Sequence, residues 1–346
     1  MQTTEQHTPQ TAWLGIDVAK ATAEVGIHLP VASGQPARNI REIPTRTFER
    51  TPQGVADMLG WAAATVGGAG VPMALRCVME ATGRYSVELA AMLTEMDADL
   101  RPVIDDARAI RDYAKSLKLR NKTDAIDAAV LARYGAERMP EPKPAIPPHY
   151  AELRERNRLR DTLVIDLAAA RLRLGEVAGS PAVTRIQKTV VRNLEKALAE
   201  TEKLLRRWVA ENPDLSRDVE LMQSIPGVGF ITAVTVLAEC GPLSNFSRSR
   251  SLGSYAGLAP RVRESGTSVR GGAHISRRGP AKLRQALYMA SIVAAQRIPR
   301  LAALKDRMTG KGKSPMSARC AVMRKLLITM RAVVVNQTPF SLEYGH

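Results

Sequence analysis

The sequence predicts an α/β domain in residues 1–138 and a mostly helical region after it. Apolar runs of strand length alternate with helix-length patterns in the first part, whereas residues 150–210 carry helical periodicity without a strand signal. Between them, segment 139–149 holds five prolines in eleven residues, which is typical of an extended linker. A chain of 346 residues is long enough for at least two domains that each bury a core.

The elements of the first domain come in the order of three strands, a helix, a strand, a helix, a strand and two helices. The helix after the third strand is expected to be capped by Thr51, whose hydroxyl can accept a backbone hydrogen bond. The predicted strands are 13–18, 23–29, 45–48, 71–79 and 100–104, and the later helices are 86–96, 106–117 and 124–134. This order is that of an RNase H-like (RuvC-like) α/β domain.

Residues 150–215 predict a helical hairpin, because Gly179-Ser180-Pro181 breaks the helical pattern in two. Along the second helix, apolar positions are spaced alternately by four and three residues, at Val190, Leu194, Ala197, Thr201, Leu204 and Trp208. Such a seam fits either the core of a helical bundle or a dimerising coiled coil. Residues 216–346 are predicted to form a third, mostly helical domain that a Gly- and Ser-rich stretch at 247–279 interrupts.

The charge of the chain is unevenly distributed. The formal net charge is +16 and the pI is about 10.1, yet residues 1–240 are neutral overall and residues 241–346 carry the whole excess. Clustered arginine and lysine neutralise phosphates, so this distribution indicates a neutral module attached to one that binds nucleic acid.

Cysteine usage and hydropathy exclude other classes of protein. The three cysteines, Cys77, Cys240 and Cys320, are far apart and form neither a disulfide framework nor a Cys-x-x-Cys metal motif. The N-terminal residues are polar, and no apolar run approaches the about 20 residues that a membrane span needs. We therefore expect a cytoplasmic protein that does not act in a membrane.

Four carboxylates are candidates for a metal site. Asp17 lies inside an apolar strand, where a charge is costly without a partner or a metal, and Glu80 ends another strand. Asp124 and Asp127 are spaced to share one face of a helix that Thr123 can cap. Taken singly, a strand-end glutamate or a first-turn aspartate pair is usually a solvated surface feature. Together they indicate a site for two divalent cations, and hard oxygen ligands favour Mg²⁺ or Mn²⁺.

Several basic and glycine residues are candidates for contacts to nucleic acid. A run of lysines and arginines from 108 onwards ends at Lys122, directly before the aspartate pair. Gly227 and Gly229 open an apolar helix, and such a turn either exposes backbone N–H groups to a phosphate or permits close helix packing.

A serine-containing stretch is surrounded by basic residues, namely Arg261, Arg263, Arg277, Arg278, Lys282 and Arg284. Such a composition usually means a flexible basic loop. It also suits a serine nucleophile, because arginines can hold a scissile phosphate and stabilise the charge that develops when a hydroxyl attacks it.

A set of short motifs, in this order, resembles one known family over nearly the whole chain. The motifs are GIDVAK at 15–20, MEATGRY at 79–85, KTDAIDA at 122–128, IPGVG at 225–229, AGLAP at 256–260, Ser265-Gly266, ISRRG at 275–279 and Leu283-Arg284. The family is that of the DEDD transposases of IS110-type insertion sequences, also called bridge-RNA-guided recombinases.

The resemblance implies a RuvC-like domain whose metal-binding tetrad is Asp17, Glu80, Asp124 and Asp127, a helical linker, and a C-terminal transposase domain. It implies that Ser265, which precedes Gly266, attacks DNA, with Ser268 as the alternative nucleophile. It also implies a structured non-coding guide RNA, donor and target DNA as substrates, and a homo-oligomer, a dimer or a tetramer. A metal-dependent endonuclease that uses activated water, and a non-catalytic nucleic-acid scaffold, are the alternatives.

Overall fold

A computed structural model describes most of the chain and divides it into two compact units, Met1–Pro144 and Ala145–His346. Of residues 261–265 and 269–274 it describes the backbone. The described ranges are 10–30, 39–68, 73–81, 83–119, 123–142, 146–177, 179–265, 269–276 and 278–342. No helix in these ranges is long and apolar enough to span a bilayer.

The first unit is built on a five-stranded mixed sheet with the order β3-β2-β1-β4-β5. The strands are β1 Gln10–Val18, β2 Thr22–His28, β3 Thr45–Glu49, β4 Met73–Glu80 and β5 Val103–Asp105. β1, β2 and β3 pair antiparallel, whereas β4 is parallel to β1 and β5 to β4. The mixed α/β class is thus confirmed, and the arrangement is consistent with the predicted nuclease-like domain.

Helices cover both faces of this sheet. They are α1 Pro52–Gly67, α2 Arg84–Met96, α3 Ala107–Ser116 and α4 Asp124–Arg138, with short 3₁₀ turns at Ile40–Glu42 and Ala98–Leu100. Side chains of α1 and α2 pack with one face of β1, including Leu14 and Ile16, while α3 and α4 pack with the other, including Trp13. Successive side chains of a strand point to opposite sides of the sheet, and in β1 both sets are mostly apolar, so both faces can be covered.

The second unit is mostly helical. Its helices are α5 Pro148–Gly175, α6 Pro181–Glu211, α7 Pro213–Gln223, α8 Phe230–Cys240, α9 Ser249–Tyr255, α10 Ala281–Arg297, α11 Pro299–Gly310 and α12 Pro315–Val335, with a 3₁₀ turn at Leu243–Asn245. α5 and α6 form the predicted hairpin. Leu153 and Leu205 of that hairpin belong to the same core as Leu237 and Leu326, so the base of the hairpin is part of the core of this unit.

The predicted apolar seam of α6 is partly wrong in its register. Val190 and Leu204 are 38% and 61% exposed, whereas their neighbours Val191 and Leu205 are buried. One residue is about 100° around a helix, and the sequence has apolar pairs at both places, so periodicity alone could not choose between them. The inward face is set by packing against Leu167 and other residues of α5. A coiled coil remains a prediction.

The Gly- and Ser-rich stretch contains two strands that the sequence did not predict. β6 Pro260–Ser265 and β7 Val269–Ile275 pair antiparallel as a two-stranded ribbon, with an irregularity between Arg261 and Arg263. The alternating apolar signal that marks a half-buried strand is weak here, because few residues in either segment are apolar.

Candidate functional site

Neighbouring strands bring Asp17 and Glu80 to one edge and one face of the first sheet. The registered partners Ile16 and Met79 immediately precede them on parallel strands, so the two carboxylates lie side by side. Asp17 is four residues after Trp13 on β1, so its side chain is on the same face as that of Trp13, which packs toward α4. Ile16 packs on the opposite face. Both carboxylates therefore belong to the face that α4 covers.

Helix α4 lies directly on the backbone of β1 and β2. A Cβ atom added to Gly15 would be 2.0 Å from the Ala132 nitrogen and 2.3 Å from the Ala128 oxygen. Gly26, the registered partner of Gly15 on β2, would place a Cβ 3.0 Å from the same Ala128 carbonyl. Two paired glycines thus allow the helix to approach the sheet more closely than any side chain would permit.

The direction of α4 places its aspartates above Asp17. Gly15 meets the helix at residues 128–132, whereas Gly135, further along the helix, contacts Trp13, which is earlier on the strand. The helix therefore runs antiparallel to β1, and its first turn, with Asp124 and Asp127, lies at the C-terminal end of that strand. The structure thus brings the four predicted carboxylates to the same edge and face.

Local capping fixes where α4 begins. The Thr123 side chain accepts a hydrogen bond from the Ile126 backbone N–H at 3.3 Å, which confirms the predicted cap. The Asp127 backbone N–H donates to the Thr123 carbonyl at 2.9 Å, the first bond of the helical ladder. Because the helix starts immediately before Asp124, both aspartates occupy its first turn.

Two further carboxylates lie on this face and were missed by the sequence reasoning. Asp105 is registered with Glu80 and accepts a hydrogen bond from the Tyr134 hydroxyl of α4 at 2.7 Å. Burial, and then this bond, raise the pKa of Tyr134 to about 12. Glu24 is registered with Asp17 and accepts a hydrogen bond from the Thr47 hydroxyl. The signal for Asp105 was available, since it ends a strand just as Glu80 does.

The second predicted site is the ribbon. Ser265 is the last residue of β6, paired with Val269, and so lies at the far end of the ribbon from Ala259, whose carbonyl accepts the Ser276 N–H at 3.0 Å. Ser268, Arg277 and Lys122 lie outside the described residues, as do the side chains of Ser265, Arg261 and Arg263.

The glycine turn before α8 is explained in part by packing. Gly227 has a φ of +94°, and a Cβ there would be 2.8 Å from both the Ala290 oxygen and the Ala294 nitrogen of α10. Gly229 is the exposed N-cap residue of α8, and a Cβ there would meet nothing within 4 Å. Close packing therefore accounts for Gly227, while a phosphate contact at Gly229 remains a prediction.

Some of the predicted nucleic-acid contacts have partners within the protein. Lys282 Nζ lies 2.6 Å from Asp161 Oδ2 on α5. Arg284 Nη1 donates to the carbonyls of Ala256, Gly279 and Pro280. The side chain of Arg278 is exposed. Other arginines of this unit also donate to backbone carbonyls, at Arg319 with Ser291 and Arg331 with Phe246.

Comparison with known proteins identifies the family. Residues 219–306 match the model described as transposase IS116/IS110/IS902 family, and residues 14–177 match a model of DEDD transposases of IS110 type. The pilin gene-inverting protein of Moraxella bovis is 31% identical over 333 residues, 95% of this chain and 97% of that one. Its counterpart in Moraxella lacunata is 33% identical over 271 residues, 77% and 82% of the two chains. The chain belongs to the IS110/IS116/IS902 family of DEDD transposases.

The two matched regions of this DEDD transposase coincide with the two candidate sites. The first match spans the carboxylate edge from Asp17 to Asp127, and the second spans the glycine turn and the ribbon. A shorter similarity, 40% over 100 residues, joins 29% of this chain to 26% of the transposase for insertion sequence element IS1111A of Coxiella burnetii. The protein is therefore an enzyme that acts on DNA.

The carboxylate edge of this transposase has the donor chemistry for a divalent metal ion, which is typical of DEDD transposases. The candidate donors are all carboxylate oxygens, which hard divalent cations prefer. Among the described side chains, no three His, Cys, Asp or Glu residues already stand in metal-ligand geometry. The fold thus places the candidate donors at one edge of the sheet.

Proposed function

We propose that this transposase is an RNA-guided, site-specific recombinase that cuts and rejoins DNA through Mg²⁺-bound carboxylates and Ser265. The observation that supports the proposal most directly is the placement of Asp17, Glu80, Asp124 and Asp127 on one face at one edge of the sheet. The Moraxella relatives are named for gene inversion, which is a rearrangement between defined sites.

The four carboxylates would hold divalent cations near the DNA phosphate. Four negative charges gathered at one edge repel each other, and Mg²⁺ offsets that repulsion. When bound, Mg²⁺ lowers the pKa of an attacking hydroxyl and stabilises a leaving oxygen in phosphoryl transfer. Asp17 and Glu80 are held by the sheet, whereas Asp124 and Asp127 are positioned by the helix.

Ser265 supplies the covalent step. Its Oγ forms a bond to a DNA phosphorus, and the bond from that phosphorus to the leaving deoxyribose oxygen breaks. The serine proton leaves to solvent and the released oxygen takes up a proton. The phosphoester energy is retained in the protein–DNA bond, so attack by a new strand end can rejoin the DNA and restore the serine.

The partners follow from charge and from exposed apolar surface. The +16 excess in residues 241–346 supports binding of both DNA and a structured guide RNA, chiefly through phosphates. Exposed apolar side chains on the α5–α6 hairpin, such as Leu172 at 71% and Ile186 at 63%, support a homo-oligomer.

An adduct assay tests the proposal. The protein is incubated with Mg²⁺, labelled DNA carrying the ends of its element, and RNA transcribed from the DNA that flanks its gene. We expect a labelled protein–DNA adduct on a denaturing gel, absent for Ser265→Ala and for Asp17→Asn. Ser244→Ala and Asp112→Asn, which alter exposed residues of the same two units, serve as matched controls and keep the adduct.

Other outcomes favour the alternatives. Cleavage without an adduct, unchanged by Ser265→Ala, would assign the protein to the metal-dependent endonucleases. An adduct that survives Ser265→Ala but not Ser268→Ala would move the nucleophile by three residues. Binding without cleavage in any condition would indicate a scaffold.

A further inference from the structure

Arg284 connects the chain segment that enters the Ser265 ribbon with the segment that leaves it. Its Nη1 donates to the Gly279 carbonyl at 2.9 Å and to the carbonyls of Pro280 and Ala256 at 3.3 Å. Ala256 precedes β6 in the chain, and the other two residues follow β7. One guanidinium group on α10 therefore closes the base of the ribbon.

This use suits an arginine rather than a lysine. The guanidinium reaches all three carbonyls through Nη1, whose two N–H groups lie in the plane of a rigid group, whereas an ammonium group is a compact point charge with no such plane. Nη1 of Arg284 donates to protein carbonyls and its side chain is half-buried, whereas the side chain of Arg278 is exposed. The basic composition alone could not distinguish these two residues.

The backbone at this junction has little freedom to rearrange. Gly279 has a φ of +125°, and a Cβ there would be 1.8 Å from the Tyr255 carbonyl oxygen. Tyr255 is in turn fixed by its hydroxyl, which donates to the Glu239 carbonyl at 2.7 Å. The chain leaving β7 therefore passes against the end of α9, where Arg284 holds it.

A second contact anchors the start of α10 to the hairpin. The Lys282 ammonium lies 2.6 Å from Asp161 Oδ2, and Arg160 connects Asp161 to Glu202 at distances of 3.5 and 3.0 Å. The first turn of α10 is thus tied to both α5 and α6. The helix that carries Arg284 is therefore fixed to the hairpin at its first turn.

We propose that Arg284 is a positioning residue, which sets the orientation of the β6–β7 ribbon and so of Ser265, and that it is not a DNA contact. The role in catalysis rests on the proposed serine chemistry, but the structural role does not. A two-stranded ribbon is marginally stable by itself, so a clamp at its base has a large effect on its order.

Hydrogen exchange of the free, full-length protein tests the structural part. In Arg284→Lys, which keeps the charge but loses the fork, we expect amides of β6 and β7 to exchange at least about tenfold faster. The rest of the chain should be unchanged, and the matched variant Arg278→Lys should leave the ribbon unaffected. Exchange that rises throughout the chain in both Arg284→Lys and Arg284→Gln would overturn the proposal, because it assigns the residue to general stability.

DNA binding and adduct formation test the functional part. For Arg284→Gln we expect the adduct yield at saturating DNA to fall about a hundredfold, with the salt dependence of DNA affinity unchanged. Arg278→Gln should instead reduce the slope of log affinity against log salt by about one. A slope reduced by about one in Arg284→Gln, with normal ribbon exchange, would make Arg284 a phosphate contact and contradict the proposal.

The two proposals fail separately. Faster ribbon exchange in Arg284→Lys, with no adduct from the wild-type protein, would refute the serine chemistry and support the clamp. An adduct from the wild-type protein that Arg284→Lys forms equally well, without faster exchange, would refute the clamp and support the serine chemistry.

Discussion

The carboxylate edge and the serine ribbon are built in opposite ways. The carboxylates lie on strands of a five-stranded sheet and on a helix whose backbone contacts that sheet at Gly15 and Gly26. Ser265 lies at the end of two strands that pair with each other, with Arg284 at their base. The position of the proposed metal ligands is therefore set by backbone packing, while that of the proposed nucleophile depends on a few hydrogen bonds.

The two regions also differ in charge. Residues 1–240, which contain the carboxylates, are neutral overall, whereas residues 241–346, which contain Ser265, hold the full excess of +16. Since the structure uses several arginines of the second region for backbone carbonyls, its charge overstates what is available to DNA. Net charge therefore locates a binding region but does not select its contact residues.

The largest expected effect is the loss of a metal ligand. Asp127→Asn should reduce DNA cleavage roughly a thousandfold, since one carboxylate charge opposite the metal is lost, while DNA affinity changes little. Asp112→Asn, an exposed position on α3, is the matched control. Rates measured over a range of Mg²⁺ concentrations, together with binding, check the prediction. Equal cleavage rates for the two variants would show that Asp127 is not a metal ligand and would contradict the proposed role of the carboxylate edge.

The packing of α4 gives the next largest effect. Gly15→Ala should destabilise the first unit by about 3 kcal/mol, because the new Cβ collides with helix backbone that cannot yield locally. Gly60→Ala, in α1 with open space around it, should be neutral or stabilising by up to about 1 kcal/mol. Urea denaturation of both variants measures the difference. A Gly15→Ala protein as stable as Gly60→Ala would show that backbone packing does not set this site.

A smaller effect is expected at the edge of the carboxylate face. Tyr134→Phe removes the hydroxyl that donates to Asp105, beside Glu80. The Mg²⁺ concentration for half-maximal cleavage should change by up to about tenfold, since the neighbouring Asp105 carboxylate loses one of its hydrogen-bond donors. Tyr113→Phe, on the adjacent ring, leaves this bond intact and is the control. A larger change in Tyr113→Phe than in Tyr134→Phe would contradict the assignment.

The smallest effect concerns a carboxylate in the second unit. Burial, and then the charge of Asp214, raise the pKa of Asp218 to about 6, against the lowering effect of a hydrogen bond from Gln337. Because this carboxyl group binds its proton more tightly in the folded protein, the free energy of unfolding falls as the pH rises from about 4 to 6. Asp218→Asn should therefore be more stable by about 1 kcal/mol at pH 7.5, allowing for solvent screening, and unchanged near pH 4.

Thermal unfolding of wild type and Asp218→Asn at several pH values checks this. A stability difference that does not vary with pH would show that titration of Asp218 is not its cause.

Much of the first unit could be predicted from the sequence because its central strands are apolar runs and its helices each bury one face. The strand around Asp17 and the cap at Thr123 follow from local patterns, and both are observed. The ribbon could not be predicted, since few of its residues are apolar. The inward face of α6 was ambiguous because Val190 and Val191 are both apolar, and only packing against α5 selects one.

The partners of charged side chains were the least predictable feature. Nothing in the sequence distinguishes Arg284, which serves carbonyls, from Arg278, which is exposed. Such partners depend on residues distant in the chain, for example Lys282 and Asp161. Long-range contacts of this kind carry no local pattern.

The paired glycines under α4 affect which metal ion would fit the proposed site. Because Gly15 and Gly26 have no side chains, the height of the helix above the sheet is the minimum that two backbones allow. That height fixes how far Asp124 and Asp127 stand from Asp17 and Glu80. Mg²⁺ requires ligands at about 2.0–2.1 Å, and Ca²⁺ accepts about 2.3–2.6 Å. In the proposed site, a methyl group at either glycine would push the whole helix away from the sheet, widen this gap and favour the larger ion.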